Sequence, residues 1–260
     1  MRRRDFLAAT GVAAVGTLGQ VRCADGSSDK SEREYYELRA YRLKSADKRK
    51  LMLDYLKAAA IPALNSIGIA RVGVFTVLEP ESPDLYVLLA HKSLESVVTA
   101  SGLIGSDPDY RKAAAGVLDA PKSDPAYERI ESSLMLAFEA IPRLEMPTKA
   151  ESRIFQLRIY ESHNSLAGKK KVEMFNTGGE IAIFRKAGMN PVFFGESLIG
   201  PKLPNLTYML GFDDMDAKEK AWNTFRVDPD WLKLKANQYY KDTVSNVTNI
   251  MLRPASCSQI

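Results

Sequence analysis

Over residues 34–43 apolar and polar positions alternate, the signature of a strand with two distinct faces. The period then changes. Leu51, Leu53, Leu56, Ala59, Ala60, Ala63 and Leu64 recur at helical spacing, which predicts a helix over 46–67 closed by Gly68. Residues 72–78 and 85–91 return to strand character and predict a hairpin that turns at 79–83, where Pro80 and Pro83 stand. A second helix over 94–117, interrupted near Ser106, and a last strand over 127–138 complete the first half.

The same succession then begins again, with strands at 153–162, 191–199, 206–212 and 244–252 and helices at 169–187 and 217–240. The repetition extends to individual residues, the mark of an internal duplication. Glu37-Leu38-Arg39-Ala40-Tyr41 returns as Gln156-Leu157-Arg158-Ile159-Tyr160 at an offset of 119, and Ile67-Gly68-Ile69 as Ala187-Gly188-Met189 at 120. Pro83-Asp84-Leu85 returns as Pro204-Asn205-Leu206, and Asp107-Pro108-Asp109-Tyr110 as Asp228-Pro229-Asp230-Trp231, both at 121. The offset grows by single residues between elements, where insertions are tolerated.

Each half therefore reads strand, helix, strand, strand, helix, strand, the ferredoxin-like βαββαβ unit of an α+β fold. The expected organisation is a signal at 1–24, a linker at 25–33, one repeat at 34–140, a second linker at 141–151, the second repeat at 152–253 and a frayed tail at 254–260. Asp107-Pro108 and Asp228-Pro229 are read as caps. Aspartate accepts from the free amides of a restarting helix and proline fits its first turn, so Tyr110 and Trp231 anchor that helix on the sheet.

The first residues alter the charge picture. Arg3-Arg4-Asp5-Phe6-Leu7 followed by the mild apolar stretch 8–19 resembles a twin-arginine export signal, which implies a periplasmic or otherwise exported protein with no stable membrane anchor after cleavage. Removing 1–24 lowers the formal charge from +4 to about +1. No strong positive field is then left to hold nucleic acid. The run Lys169-Lys170-Lys171 is read as a solvated helix start. The two cysteines, Cys23 and Cys257, lie on opposite sides of the expected cleavage, so no internal disulfide is expected.

The Glu-Leu-Arg-x-Tyr opening, with Gln156 for the Glu in the second half, the glycine after the first helix and the closing Asp-Pro-x-Trp together resemble the NIPSNAP family. The match is fullest in the second half, at Gln156 to Tyr160, Gly188, Trp222, Phe225, Asp228-Pro229 and Trp231. The first half departs from it: Ser101 and Ile104 stand where the second half has Trp222 and Phe225, and Tyr110 replaces the tryptophan. The resemblance implies an arrangement of the dimeric α/β-barrel type, here closed within one chain by two ferredoxin-like units facing each other. It brings no agreed catalytic residue, and the barrel serves oxygenases, haem proteins and stress-response proteins alike.

Within such a barrel, Phe155, Leu157 and Ile159 form one face of their strand and Gln156, Arg158 and Tyr160 the other. Helices need an apolar surface to pack on. The expectation is thus that Arg158 and Tyr160, and by the repeat Glu37, Arg39 and Tyr41, point into the barrel and line a central cavity. With His91 at the end of its strand, Arg39, Tyr41, Arg158 and Tyr160 are the candidate cavity-lining residues for an anionic or hydroxylated aromatic ligand. The plainer reading pairs Arg39 and Arg158 with Glu37, Glu131 or Glu196 as structural ion pairs. His91 and His163, the two histidines, lack neighbours at metal-ligand spacing, and no nucleotide loop or nucleophile elbow is present, so no metal or cofactor is expected. Binding of a small molecule or a protein partner without turnover is the favoured function. A cofactor-independent monooxygenase or isomerase is the alternative, with single-histidine haem binding a further one. Assembly into a homo-oligomer through exposed strand edges is left open.

Overall fold

The structure, a computed structural model, describes residues 32–260. The export signal at 1–24 and nearly all of the linker at 25–33 lie outside the described residues. The first repeat runs β1 (Tyr35–Arg42), α1 (Ala46–Tyr55), a π-turn (Leu56–Ala60), α2 (Ile61–Ser66), β2 (Val72–Glu79), β3 (Leu85–His91), α3 (Leu94–Gly105), α4 (Pro108–Leu118) and β4 (Arg129–Ala137). The second runs β5 (Ile154–Glu161), α5 (Ser165–Phe175), α6 (Glu180–Lys186), β6 (Asn190–Ile199), β7 (Asn205–Phe212), α7 (Met215–Val227), α8 (Pro229–Lys235), a short 3₁₀ turn (Gln238–Tyr240) and β8 (Asn246–Pro254).

Local chemistry accounts for the boundaries. Asp107 accepts from the amides of Asp109 and Tyr110, and Asp228 from those of Asp230 and Trp231, so both restart a helix after a break. Gly68 and Gly188 follow their helices at φ of +90° and +82°, a conformation glycine reaches without a Cβ penalty. The helix expected over 169–187 is instead divided into α5 and α6, with Gly179 at φ +87° between them.

Within each repeat the strands take the order β4-β1-β3-β2 and β8-β5-β7-β6, and the two sheets join into one closed eight-stranded barrel. Closure depends on two antiparallel ladders between repeats. β2 pairs with β8 (Thr76 with Arg253, Val77 with Leu252), and β4 pairs with β6 (Leu136 with Glu196, Ala137 with Gly195). Gly195 is needed at the second seam, because a Cβ there would lie 2.7 Å from that of Met135. Closure uses up the outer strand edges of both sheets and removes edge pairing as a route to assembly.

The barrel interior is apolar and packed, as expected for eight strands, whose interior is just wide enough for side chains to fill. Tyr36, Leu38, Phe75, Phe155, Leu157 and Met209 are among its members. Phe75 and Phe155 meet at 5.1 Å, and Tyr36 and Phe193 at 5.0 Å. Two segments read as linker and frayed tail close one end. Leu144 and Ile260 are buried in the interior cluster, the amide of Glu145 donates to Val192 O, and the amide of Gln259 donates to Val72 O. The Ile260 side chain is a plug, so Ile260→Ala is expected to lower unfolding stability by about 2 kcal/mol or more in chemical denaturation. An unchanged midpoint would show that the tail does not seal the barrel.

Candidate functional site

The candidate residues occupy the strand face opposite to the one expected. Tyr36, Leu38 and Ala40 turn into the barrel, whereas Tyr41 packs in the layer between sheet and helices. In β5, Phe155 and Leu157 turn inward and Tyr160 packs against the aromatic cluster under the second helix layer. Both sheet faces are covered in this architecture, so alternation alone has two solutions. The closed interior is filled by packed, mainly apolar side chains, so it takes the more apolar face. Arg39, Tyr41, Arg158, Tyr160 and His91 therefore line no central cavity.

In the first repeat these residues form a polar cluster on the helix side of β1. Glu37 accepts from Arg39 Nε at 2.6 Å, from Arg39 Nη2 at 2.8 Å and from the Ser132 hydroxyl at 2.9 Å. The His91 ring is fully buried, its Nδ1 is 2.9 Å from Ser96 Oγ, and its Nε2 lies 3.6 Å from Glu37 Oε2, beyond hydrogen-bond length. Burial alone would raise the Glu37 carboxyl. The facing His91, the Arg39 guanidinium and Ser132 more than offset this and hold it at about 2. Glu131, another expected partner, pairs with Arg42 instead.

Above this cluster, between β1 and β4 below and α3 and α4 above, lies a cleft of about 320 Å³. Its lining includes Arg39, Tyr41, Tyr55, Ser101, Ile104 and Tyr127. The hydroxyls of Tyr55 and Tyr110 are 2.8 Å apart, and Tyr41 meets Tyr127 edge-on at 5.7 Å. Burial raises the Tyr41 phenol, against the pull of Arg39, and raises that of Tyr55, with its bond to Tyr110 adding to the effect. Both phenols are therefore protonated donors at neutral pH.

The second repeat fills the equivalent space with its own side chains. Trp222 lies on Arg158, with the guanidinium carbon 4.7 Å from the ring centre, and its indole N–H donates to Gln156 Oε1 at 2.7 Å. Gln156 Nε2 in turn donates to Asn249 at 2.7 Å. Around them Phe194 and Tyr208 stack at 4.6 Å, Phe184 and Phe225 meet at 4.7 Å, and the Tyr208 hydroxyl donates to that of Tyr160 at 3.0 Å. Unlike Arg39, Arg158 has no carboxylate within salt-bridge distance among the described residues, and its Nε is buried without a partner.

Lys171, expected as part of a solvated helix start, is buried. Its ammonium lies 2.7 Å from Glu180 Oε2 and 4.5 Å from the centre of the Phe175 ring. Burial raises the Glu180 carboxyl, with Lys171 and then Arg158 opposing the shift. His163 is exposed in a turn, and among the described residues no group of three or more His, Cys, Asp or Glu side chains could hold a metal ion. The residues missed in the sequence are Tyr55 and Tyr127, and the signal that marks their cleft is the absent indole at Ser101.

The Glu37 carboxyl titrates at about 2 in the folded protein against an ordinary 4.5. It thus contributes stability that is present above its unfolded pKa and is lost as pH falls toward 2. Urea unfolding across that window should show a shallower acid loss for Glu37→Gln than for wild type, and parallel curves would contradict the assignment. For the buried pair, Lys171→Met alone should cost about 3–5 kcal/mol, because it strands the Glu180 charge, while Lys171→Met with Glu180→Leu should recover most of the loss. Equal costs for the single and double variants would show the pair to be uncoupled.

Comparison with known proteins agrees with the fold. Both halves match the NIPSNAP family model, over residues 36–138 and 155–259. No curated protein matches the chain. A solved structure of a candidate monooxygenase from Fusobacterium nucleatum is similar to 86% of this chain and 93% of its own at 9% identity, with a TM-score of 0.55. A candidate monooxygenase from Lactobacillus acidophilus is similar over 86% and 94% at 10% identity, also with a TM-score of 0.55. A NIPSNAP-like domain protein from Burkholderia xenovorans covers 41% of this chain and 88% of its own at 20% identity, with a TM-score of 0.36. At 9% and 10% identity the likeness to the two candidate monooxygenases speaks to fold alone. With its family pattern met twice and the two copies closed into one barrel, the chain belongs to the NIPSNAP family.

Proposed function

We propose that this protein is an exported member of the family that binds a small molecule, without turnover, in the cleft of its first repeat. The observation that carries the reading is the contrast between repeats. Where Trp222 and Phe225 fill the sheet–helix layer of the second, Ser101 and Ile104 leave a cleft of about 320 Å³ in the first. That volume lies at the small end of ligand pockets, and a mainly apolar wall with a few fixed polar groups is the usual composition of such sites. Arg39 is held by Glu37 and lines the cleft, and Tyr41 and Tyr55 supply phenol donors.

Binding is favoured over oxygenase or isomerase chemistry because a general base must touch the proton that it removes. His91 lies beneath the cluster with no exposed ring atom, and the raised phenols are poor bases at neutral pH. Haem ligation would require His91 to leave Ser96 and Glu37 and turn into the cleft. Export rests on Arg3-Arg4-Asp5-Phe6-Leu7, which lies outside the described residues.

Native mass spectrometry of protein purified from its own host tests the binding claim. Wild type should carry a small-molecule adduct that Ser101→Trp lacks; identical spectra for the two would overturn it. Replacing Arg3 and Arg4 together by Lys should leave the chain in the cytoplasm on cell fractionation, whereas normal export of that variant would exclude the twin-arginine route.

A further inference from the structure

The internal duplication bears on what the cleft holds, because the second repeat preserves an occupant of the matching space. Resting on the cleft-binding reading above, we infer that the ligand of the first repeat is a planar bicyclic aromatic molecule with a ring N–H donor, of the size class of indole. It lies over Arg39 as the Trp222 side chain lies over Arg158.

The correspondence is fixed at each contact. Ser101 is the counterpart of Trp222 and Ile104 of Phe225 at the common offset of 121, while Arg39 and Glu37 are the counterparts of Arg158 and Gln156 at 119. In the second repeat the indole stacks on the guanidinium at 4.7 Å and gives its N–H to the side-chain oxygen of Gln156 at 2.7 Å. The first repeat keeps the same two partners. Arg39 lines the cleft, and position 37 still carries an acceptor, now a carboxylate. A serine at 101 removes the ring and leaves the guanidinium beneath it and an acceptor at position 37, while Leu64 and Ile104 stand where Phe184 and Phe225 border the ring.

The differences between the repeats favour a flat aromatic guest rather than a flexible chain. Arg39 is locked by two bonds to Glu37, so it offers a fixed planar cation for stacking. Tyr41, Tyr55, Tyr110 and Tyr127 present ring faces and edges around it. Glu37 accepts three hydrogen bonds from Arg39 and Ser132, and a carboxylate pair of oxygens has about four lone-pair sites. The remaining site, on Oε2, is faced only by His91 Nε2 at 3.6 Å, beyond hydrogen-bond length, so a donor is still accepted there, and an aromatic N–H is assigned to it as the Trp222 N–H is to Gln156. Ring N-methylation removes that donor and leaves the acceptor unmet under the guest.

Isothermal titration of the purified protein with indole, 1-methylindole and 1-octanol tests this. Indole should bind wild type one to one, with 1-methylindole and 1-octanol each at least about tenfold weaker, the consequence of losing a hydrogen bond to a charged acceptor or the stacking surface. Ser101→Trp should abolish indole binding, and Ser101→Phe serves as a shorter plug should the tryptophan variant not fold. Trp222→Ser should open the second repeat and raise the indole stoichiometry to two. If 1-methylindole or 1-octanol binds wild type as tightly as indole and Ser101→Trp abolishes that binding, the cleft reading stands and the ligand class is wrong. If indole binds Ser101→Trp and wild type alike, or no probe binds wild type, the inference falls. An unchanged native adduct in Ser101→Trp would remove the cleft reading with it.

Discussion

Two backbone ladders, β2 with β8 and β4 with β6, govern the rest of this molecule, because they turn two open four-stranded sheets into one barrel. An open ferredoxin-like sheet leaves one face and two edges to solvent or a partner. Here each repeat supplies the other's missing cover. The closed interior is filled by packed, mainly apolar side chains such as Phe75, Phe155 and Leu157. The polar cluster of Glu37, Arg39 and His91 then lies on the outer face, in the layer under the helices. That displacement moves the candidate site from the barrel axis to its flank.

Once outside the barrel, the two copies solve the same packing problem differently. The second fills its sheet–helix layer with aromatic rings, with Phe175, Tyr208, Trp222 and Phe225 all meeting Phe184. The first places Leu56, Leu64, Val87, Ser101 and Ile104 at the matching positions and leaves a gap. A duplicated domain can divide labour in this way. One copy keeps the layer dense and adds a buried Lys171–Glu180 pair, while the other trades filling for a cleft bordered by phenols and a fixed guanidinium.

Much of the architecture was legible because its causes are local. The duplication, the hairpins, the Asp107 and Asp228 caps and the glycines that end the helices all depend on residues near each other in sequence. The direction of the strand faces was not, since alternation says which residues share a face but not which face meets the barrel axis. The partners that decide it are remote: Ser132 bonds Glu37 across β4, and Trp222 bonds Gln156 from α7. Lys171 looked solvated because its carboxylate lies beyond a helix break at Gly179, out of reach of any one-turn pairing rule. The tail looked frayed because it is seated mainly by hydrogen bonds of Ala255, Ser258 and Gln259 with β2, which leave no apolar pattern, together with the one fully apolar plug at Ile260. The difference at Ser101 was visible in the alignment of the halves, yet only the fold shows that it opens a cleft beside Arg39.

Native-state amide hydrogen exchange measures closure of the barrel most directly. If the two inter-repeat ladders hold the molecule together, the ladder amides of β2 and β8 and of β4 and β6 are protected as strongly as those of β1 with β3 or β5 with β7, and all exchange only through global unfolding. Rapid exchange confined to the two seams, with the repeats unfolding as independent units, would contradict the closed barrel and the outward placement of the site that depends on it.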